Sequence, residues 1–230
     1  MNTSPQLPLG VQLRESVGFG TFCTGPNDEA VAAIRTLIHG GGAVYLHGGD
    51  DSGKTHLLHA LVQAATEAGR RASYLDVREF RQQPVSMLDG LENQDVVALD
   101  NLESAFLQTE WTLGVLRLLD ALRARNKALV LSAQRPPLRV DCVLPDLATR
   151  LSACTVFGLR HPSDSDRRDW LRERAAARGL EMSEDIAELI VGRLSRDNPT
   201  LLASIETLDR AALAAQRKLT LPFVRQSLGL

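Results

Sequence analysis

The run Gly48-Gly49-Asp50-Asp51-Ser52-Gly53-Lys54-Thr55 limits what this chain can fold into more than any other feature. It fits G-x-x-x-x-G-K-[ST], and its surroundings give that pattern a physical meaning. Residues 43–46, just before it, are a short apolar run of strand-forming type, and a helical pattern opens at Lys54 and lasts to about Ala68, with Gly69 as its stop. A strand, a glycine loop and a helix N-terminus in succession turn backbone N–H groups and a partial positive charge toward one point, which makes a phosphate cradle. Lys54 is expected to neutralise the β- and γ-phosphates of a purine nucleoside triphosphate or diphosphate, and Thr55 to offer its hydroxyl to the accompanying Mg2+. The expected cofactor-binding set is Gly48, Gly49, Asp51, Ser52, Gly53, Lys54, Thr55 and His56, with the Asp50 and Asp51 side chains in solvent, away from the phosphates.

The remaining periodicity extends this unit into a domain. Residues 1–18 carry Pro5, Pro8, Gly10 and Gly18 and no sustained pattern, so they read as a flexible leader, with order expected from near Phe19. A helix fits residues 27–38, and further strands fit 72–77, 96–99, 128–131 and 154–159. These apolar runs suit a parallel sheet covered on both faces. Trp111, Val115, Leu118, Leu119 and Leu122 form a helical stripe before the fourth strand. Past His161 the pattern is helical only, over 165–178, 183–194, 200–219 and 222–228. The expected plan is therefore a leader over 1–18, an α/β nucleotide-binding base over 19–161 and a small all-helical domain over 162–230.

Composition narrows the function classes. With 26 Lys plus Arg against 28 Asp plus Glu, the formal net charge is -2, so no global field draws the chain to nucleic acid. The first ten residues have neither a basic start nor an apolar core, and no apolar run is long enough to span a bilayer, so no membrane partner and a cytoplasmic location are expected. Cys23, Cys142 and Cys154 are widely spaced, without a C-x-x-C pair, and read as ordinary thiols.

Beyond the loop, the chemistry concentrates at strand ends. Asp100 closes the apolar run Val96-Val97-Ala98-Leu99, where a carboxylate stands beside the metal of a P-loop. Hydrolysing enzymes of this kind place a second carboxylate next, to orient the attacking water. Asn101 holds a water but cannot take its proton, so slow intrinsic hydrolysis is expected, with Glu103 as a substitute whose direction the sequence leaves open. Gln134, after the fourth strand, is either a γ-phosphate sensor or an ordinary polar residue leaving a strand before Pro136-Pro137. Arg150, just before the last strand, is either an arginine projected toward a neighbour's site or a helix-capping surface residue, and spacing alone favours the second. His56 and His59 lack the acidic third ligand of a zinc motif and read as packing residues.

Taken together, residues 48–59, 96–103, 134–137, 144–151 and 208–224 resemble the DnaA branch of AAA+ proteins, and within it the Hda-like regulators of the initiator DnaA. The segments Leu208-Asp209-Arg210, Ala215-Gln216-Arg217-Lys218-Leu219-Thr220, Asp100-Asn101 and Arg135-Pro136-Pro137 carry that likeness. The resemblance implies a P-loop AAA+ base whose parallel five-stranded sheet has the order 5-1-4-3-2, followed by a helical lid. It also implies that Gln6-Leu7-Pro8-Leu9 docks in the peptide pocket of the DNA polymerase III β sliding clamp. On the same basis Arg150 is an arginine finger, reaching the ATP held by DnaA and stabilising its hydrolytic transition state.

Two departures bear on this. The lid position of the second sensor arginine falls on Pro199, with Arg196 three residues earlier as an imperfect stand-in. Lys54 is kept, so ADP or ATP affinity should persist while γ-phosphate sensing by the lid does not follow. The resemblance thus implies a nucleotide-bound regulator of replication initiation that meets DNA indirectly through the clamp, is nucleoid-associated by that route, prevents re-initiation and admits homo-oligomers. The alternatives are an autonomous ATPase acting as a helicase loader or other DNA-associated replication factor, and an adaptor that needs no clamp.

Overall fold

The computed structural model describes residues 17–195 and 197–230; Gln6, Leu7, Pro8, Leu9 and Arg196 lie outside the described residues. The base alternates β1 (Gly42–His47), β2 (Ala72–Asp76), β3 (Val96–Asp100), β4 (Ala128–Ala133) and β5 (Thr155–Gly158) with helices. Those helices are α1 (Asp28–Thr36), α2 (Lys54–Glu67), α3 (Val77–Phe80), α4 (Thr109–Ala124) and α5 (Pro145–Ser152). All strand pairs are parallel, in the order β2-β3-β4-β1-β5. This is the expected 5-1-4-3-2 order seen from the opposite edge.

Strand parity decides which helix each residue meets, because successive side chains point to opposite faces. Val44, Leu46, Val96, Ala98, Ala128 and Val130 pack with α1 and α2. Tyr45, Val97, Leu99, Leu129 and Leu131 pack with α4 and α5 on the other side. Covering both faces explains why the central strands are continuous apolar runs rather than alternating ones. By the same parity, the polar ends Tyr74, Asp100 and Ser132 point to the α2 face, where the glycine loop opens.

The helical region comprises α6 (Asp164–Ala177), α7 (Glu184–Arg193), α8 (Asn198–Ala215) and α9 (Leu221–Leu228) around its own core of Trp170, Leu171, Ile186, Ile190, Leu201, Ile205, Leu208 and Val224. Ser163 caps α6 by accepting from Asp166 N, and the Asp166 carboxylate returns the bond. Two ties join this region to the base. Cys23, from the segment before α1, is buried in the helical core. Asn27 brackets the connection, its amide donating to Arg160 O and its carbonyl accepting from Arg160 N, both at 2.9 Å.

Three local readings differ from expectation. Val77 opens α3 instead of ending β2, because the Asp76 carboxylate accepts from Arg78 N at 2.9 Å and caps a helical turn. The third lid helix stops at Ala215, where Gln216 turns left-handed at φ 50°. Residues 145–152, assigned no element from sequence, form α5 with Pro145 in its first turn.

Candidate functional site

The glycine loop between β1 and α2 is shaped by close approach. Gly53 sits at φ 93°, and a Cβ there would lie 2.5 Å from the Phe22 ring, so the Phe22 segment and the loop fit only around glycine. At Gly48 a Cβ would meet both Leu159 O and Ser52 Oγ at 2.8 Å. Asp51 carries the turn at φ 56°. Lys54 is buried, and its Nζ donates to Gly48 O at 2.8 Å, Gly49 O at 2.7 Å and Ser52 Oγ at 3.3 Å. Burial lowers its pKa from the usual value, while Asp100, Glu103, Asp50 and Asp51 pull it back up. An ammonium held this way must exchange loop carbonyls for any phosphate it grips.

Asp100 is the hub. It is fully buried and accepts from Thr55 Oγ1 at 2.6 Å, Tyr74 OH at 2.9 Å, Asn101 N at 3.1 Å and the Ser132 hydroxyl. Those donors come from α2, β2, the turn after β3, and β4, so a single carboxylate ties four elements at the C-terminal edge of the sheet. Burial first, then Asp100, pushes the Tyr74 hydroxyl pKa up. His59 stacks on the Tyr74 ring at 4.0 Å between centroids.

Asn101 adopts φ 55° and donates its amide to Asp76 Oδ2 at 2.9 Å. Asp76 also accepts from Arg78 Nη2 at 3.3 Å. Gln134 is exposed, and its amide donates to Asp50 Oδ1 at 3.2 Å, bridging the β4 loop to the glycine loop. His56 Nε2 donates to Gly18 O at 3.0 Å and its ring lies against Phe22. Burial lowers the pKa of both His56 and His59, which leaves neutral imidazoles packed in place.

A cavity of about 790 Å³ opens over this edge, within the usual range for small-molecule sites. Asp50, Asp51, Ser52, Gly53, Lys54, Thr55 and His56 of the glycine loop line it together with Asn101 and Arg78. Phe22, Cys23, His161, Pro162 and Arg167 also line it, as do Ser195, Asp197, Asn198 and Pro199 of the helical region. Gln134 and Arg150 do not line it. Arg150 stands on α5 with its side chain 41% exposed, paired to Asp120 of α4 at 2.5 Å and to Asp146 at 3.9 Å.

Sequence reasoning missed Tyr74, Ser132, Asp76, Arg78 and Phe22. Strand parity was a usable signal for Tyr74 and Ser132, which share Asp100's face. Nothing local marks Phe22. Cys23 and Cys154 have thiol pKa values pushed up to about 11, chiefly by burial, as suits unreactive thiols. Among the described residues no cluster of His, Cys, Asp or Glu suits a metal ion, and no helix is long and apolar enough to cross a membrane.

The bacterial DnaA ATPase domain model matches residues 13–158. This chain belongs to the DnaA family of AAA+ proteins. The model of the Hda lid domain matches residues 164–228, so the helical region is an Hda-type lid on a DnaA-type base. Among solved structures, domain III of the Thermotoga maritima initiator DnaA superposes with a TM-score of 0.68 at 20% identity, covering 94% of this chain and 96% of that one. AMPPCP-bound DnaA from Aquifex aeolicus gives 0.67 at 20% identity, covering 87% of this chain and 67% of that one. DnaA bound to AMPPCP and single-stranded DNA gives 0.66 at 19% identity, covering 88% of this chain; the chain spans 66% of that DnaA's length. At these identities the likeness speaks for the fold.

Proposed function

We propose that this chain is a nucleotide-holding regulator of replication initiation that acts on the initiator DnaA. The observation that carries the reading is the pairing of a DnaA-type ATPase base with an Hda-type lid over one P-loop cavity. ADP or ATP fits the cavity by its chemistry. Lys54 and the glycine-loop N–H groups would take the phosphates, and the cavity walls from Phe22 to Pro162 and from Ser195 to Pro199 would take the nucleoside. Mg2+ would supply phosphate charge neutralisation. The pair of Thr55 hydroxyl and Asp100 carboxylate, 2.6 Å apart, suits an ion held mainly by water and phosphate.

Two features support action in trans. Arg150 does not line the chain's own cavity, and its side chain is 41% exposed on α5, where a guanidinium can enter a neighbouring DnaA's ATP site. Pro199, at the start of α8, brings no cation to the cavity where a lid arginine would sense the γ-phosphate, which favours holding nucleotide over turning it over. The leader segment Gln6-Leu7-Pro8-Leu9 would tether the protein to the β sliding clamp, and through it to DNA.

The test is a reconstituted assay with ATP-loaded DnaA, clamp and DNA. The full chain should accelerate DnaA's ATP hydrolysis only when the clamp is present, and deleting residues 1–10 should abolish both clamp binding and acceleration. Vigorous DNA-stimulated hydrolysis by the chain without DnaA would replace this reading with that of a helicase loader. Acceleration that survives the deletion would remove the clamp from the account.

A further inference from the structure

A triphosphate brings more negative charge into the cavity than a diphosphate, so the placement of the cations decides whether the protein can tell the two apart. Lys54 is buried, and its three hydrogen bonds go to the glycine loop. Among the described residues Arg78 and Arg167 also line the cavity, and they stand on different elements. Arg167 is on α6, paired with Asp164 at 3.3 Å. Its neighbour Asp166 accepts from Cys23 Sγ at 3.8 Å through its backbone carbonyl, which sets this arginine with Cys23 and Pro162, on the side proposed for the nucleoside. Arg78 stands in α3, just past the end of β2.

Strand pairing brings the start of α3 to the carboxylate hub. Asp76 of β2 lies opposite Asp100 of β3 in the parallel register. Two residues before Asp76, Tyr74 donates to Asp100 Oδ2, the oxygen that also accepts from Thr55. The Asp76 carboxylate is buried and accepts from Arg78 N at 2.9 Å, from the Asn101 amide at 2.9 Å and from Arg78 Nη2 at 3.3 Å. A carboxylate held from two elements thus anchors one edge of the guanidinium. Among the described residues, Nη2 is the only guanidinium nitrogen of Arg78 with a hydrogen-bond partner, so the remaining N–H donors are open to a ligand. The side chain is 64% exposed, and an ion pair this open to solvent holds the arginine only weakly. Its planar fork matches a phosphate with two parallel N–H bonds.

We infer that Arg78, anchored on Asp76, binds the terminal phosphate of ATP in this chain's own cavity and so distinguishes ATP from ADP. The inference rests on the proposed binding of nucleotide at the glycine loop. In a bound triphosphate Mg2+ bridges β- and γ-oxygens. The residues proposed for that ion, Thr55 and Asp100, share the strand-end side of the cavity with Asn101, Asp76 and Arg78 rather than with α6. The γ-phosphate is therefore read from the β2–α3 corner of the base, while Pro199 leaves the start of α8 without a cation for it. Arg78 acts as a binding residue, and the Asn101 amide, by sharing Asp76, helps to set its position.

Calorimetry on the full chain with Mg2+ and either ADP or the non-hydrolysable ATP analogue AMPPCP tests this. Arg78→Gln should weaken AMPPCP binding about tenfold or more, as expected for a lost charge-assisted contact, while ADP affinity stays within roughly twofold of wild type. Arg78→Lys keeps the charge without the fork and should recover part of the loss. Arg81→Gln removes a nearby exposed cation that does not line the cavity, and should leave both affinities unchanged. Melting temperatures within a few degrees of wild type check that each variant is folded. If Arg78→Gln weakens ADP and AMPPCP equally, or weakens neither, or if Arg81→Gln matches its effect, the inference is overturned and nucleotide binding stands. A wild-type chain that binds neither nucleotide overturns both.

Discussion

The two ends of the base domain that carry the candidate chemistry are built in opposite ways. Around Asp100 the carboxylate itself is fully buried and spoken for, with hydroxyls from α2, β2 and β4 converging on it. Around Arg150 the groups are exposed, and the guanidinium rests on Asp120 and Asp146 across solvent. Pairs of the second kind contribute about 0 to 1 kcal/mol, so they hold a side chain near a position without committing it. A fixed hub is suited to a ligand the protein keeps, and a loosely held arginine to a partner it meets and leaves.

Substitutions at the two ends should therefore separate stability from activity. The largest effect is expected for Asp100→Ala, which leaves the Thr55, Tyr74 and Ser132 hydroxyls without their shared acceptor and should cost about 3 kcal/mol or more in denaturant unfolding. A loss below about 1 kcal/mol would mean that the hub is not structural. Lys54→Ala should weaken ADP binding about 100-fold by calorimetry, because a charge-assisted phosphate contact is lost, with little change in unfolding.

A smaller effect comes from pH. His56 and His59 have folded pKa values lowered by burial from the usual 6.5. The unfolded state therefore binds protons first, so stability is constant above about pH 6.5 and falls as pH drops below it. Replacing both residues with glutamine should flatten the melting temperature between pH 5 and 7 by a few degrees. Arg150→Ala should move unfolding least, by about 0.5 kcal/mol or less. A cost above about 2 kcal/mol would make Arg150 a structural residue and erase the contrast.

The sheet was legible because the glycine loop fixes where β1 ends and α2 begins and the apolar runs at 96–99 and 128–131 suit strands in the interior of such a sheet, while its order followed from the family resemblance. Asp100 was legible for the same reason. The turn after it was not, because its path depends on the left-handed backbone at Asn101 and on the long-range bond that the Asn101 amide donates to Asp76. Phe22 was invisible since its partner, Gly53, offers no side chain to pattern against. The Gln134 amide bridging to Asp50 is likewise a contact between residues 84 positions apart, which no local spacing encodes.

The central claim is that Arg150 serves another molecule's nucleotide while Lys54 serves this chain's own. The most direct measurement is ATP hydrolysis by clamp-assembled DnaA in the presence of wild-type chain or of Arg150→Ala, with ADP binding to each variant measured in parallel. The account predicts that Arg150→Ala loses the acceleration by about 100-fold or more and binds ADP as wild type does. Acceleration by Arg150→Ala equal to that of wild type would contradict it.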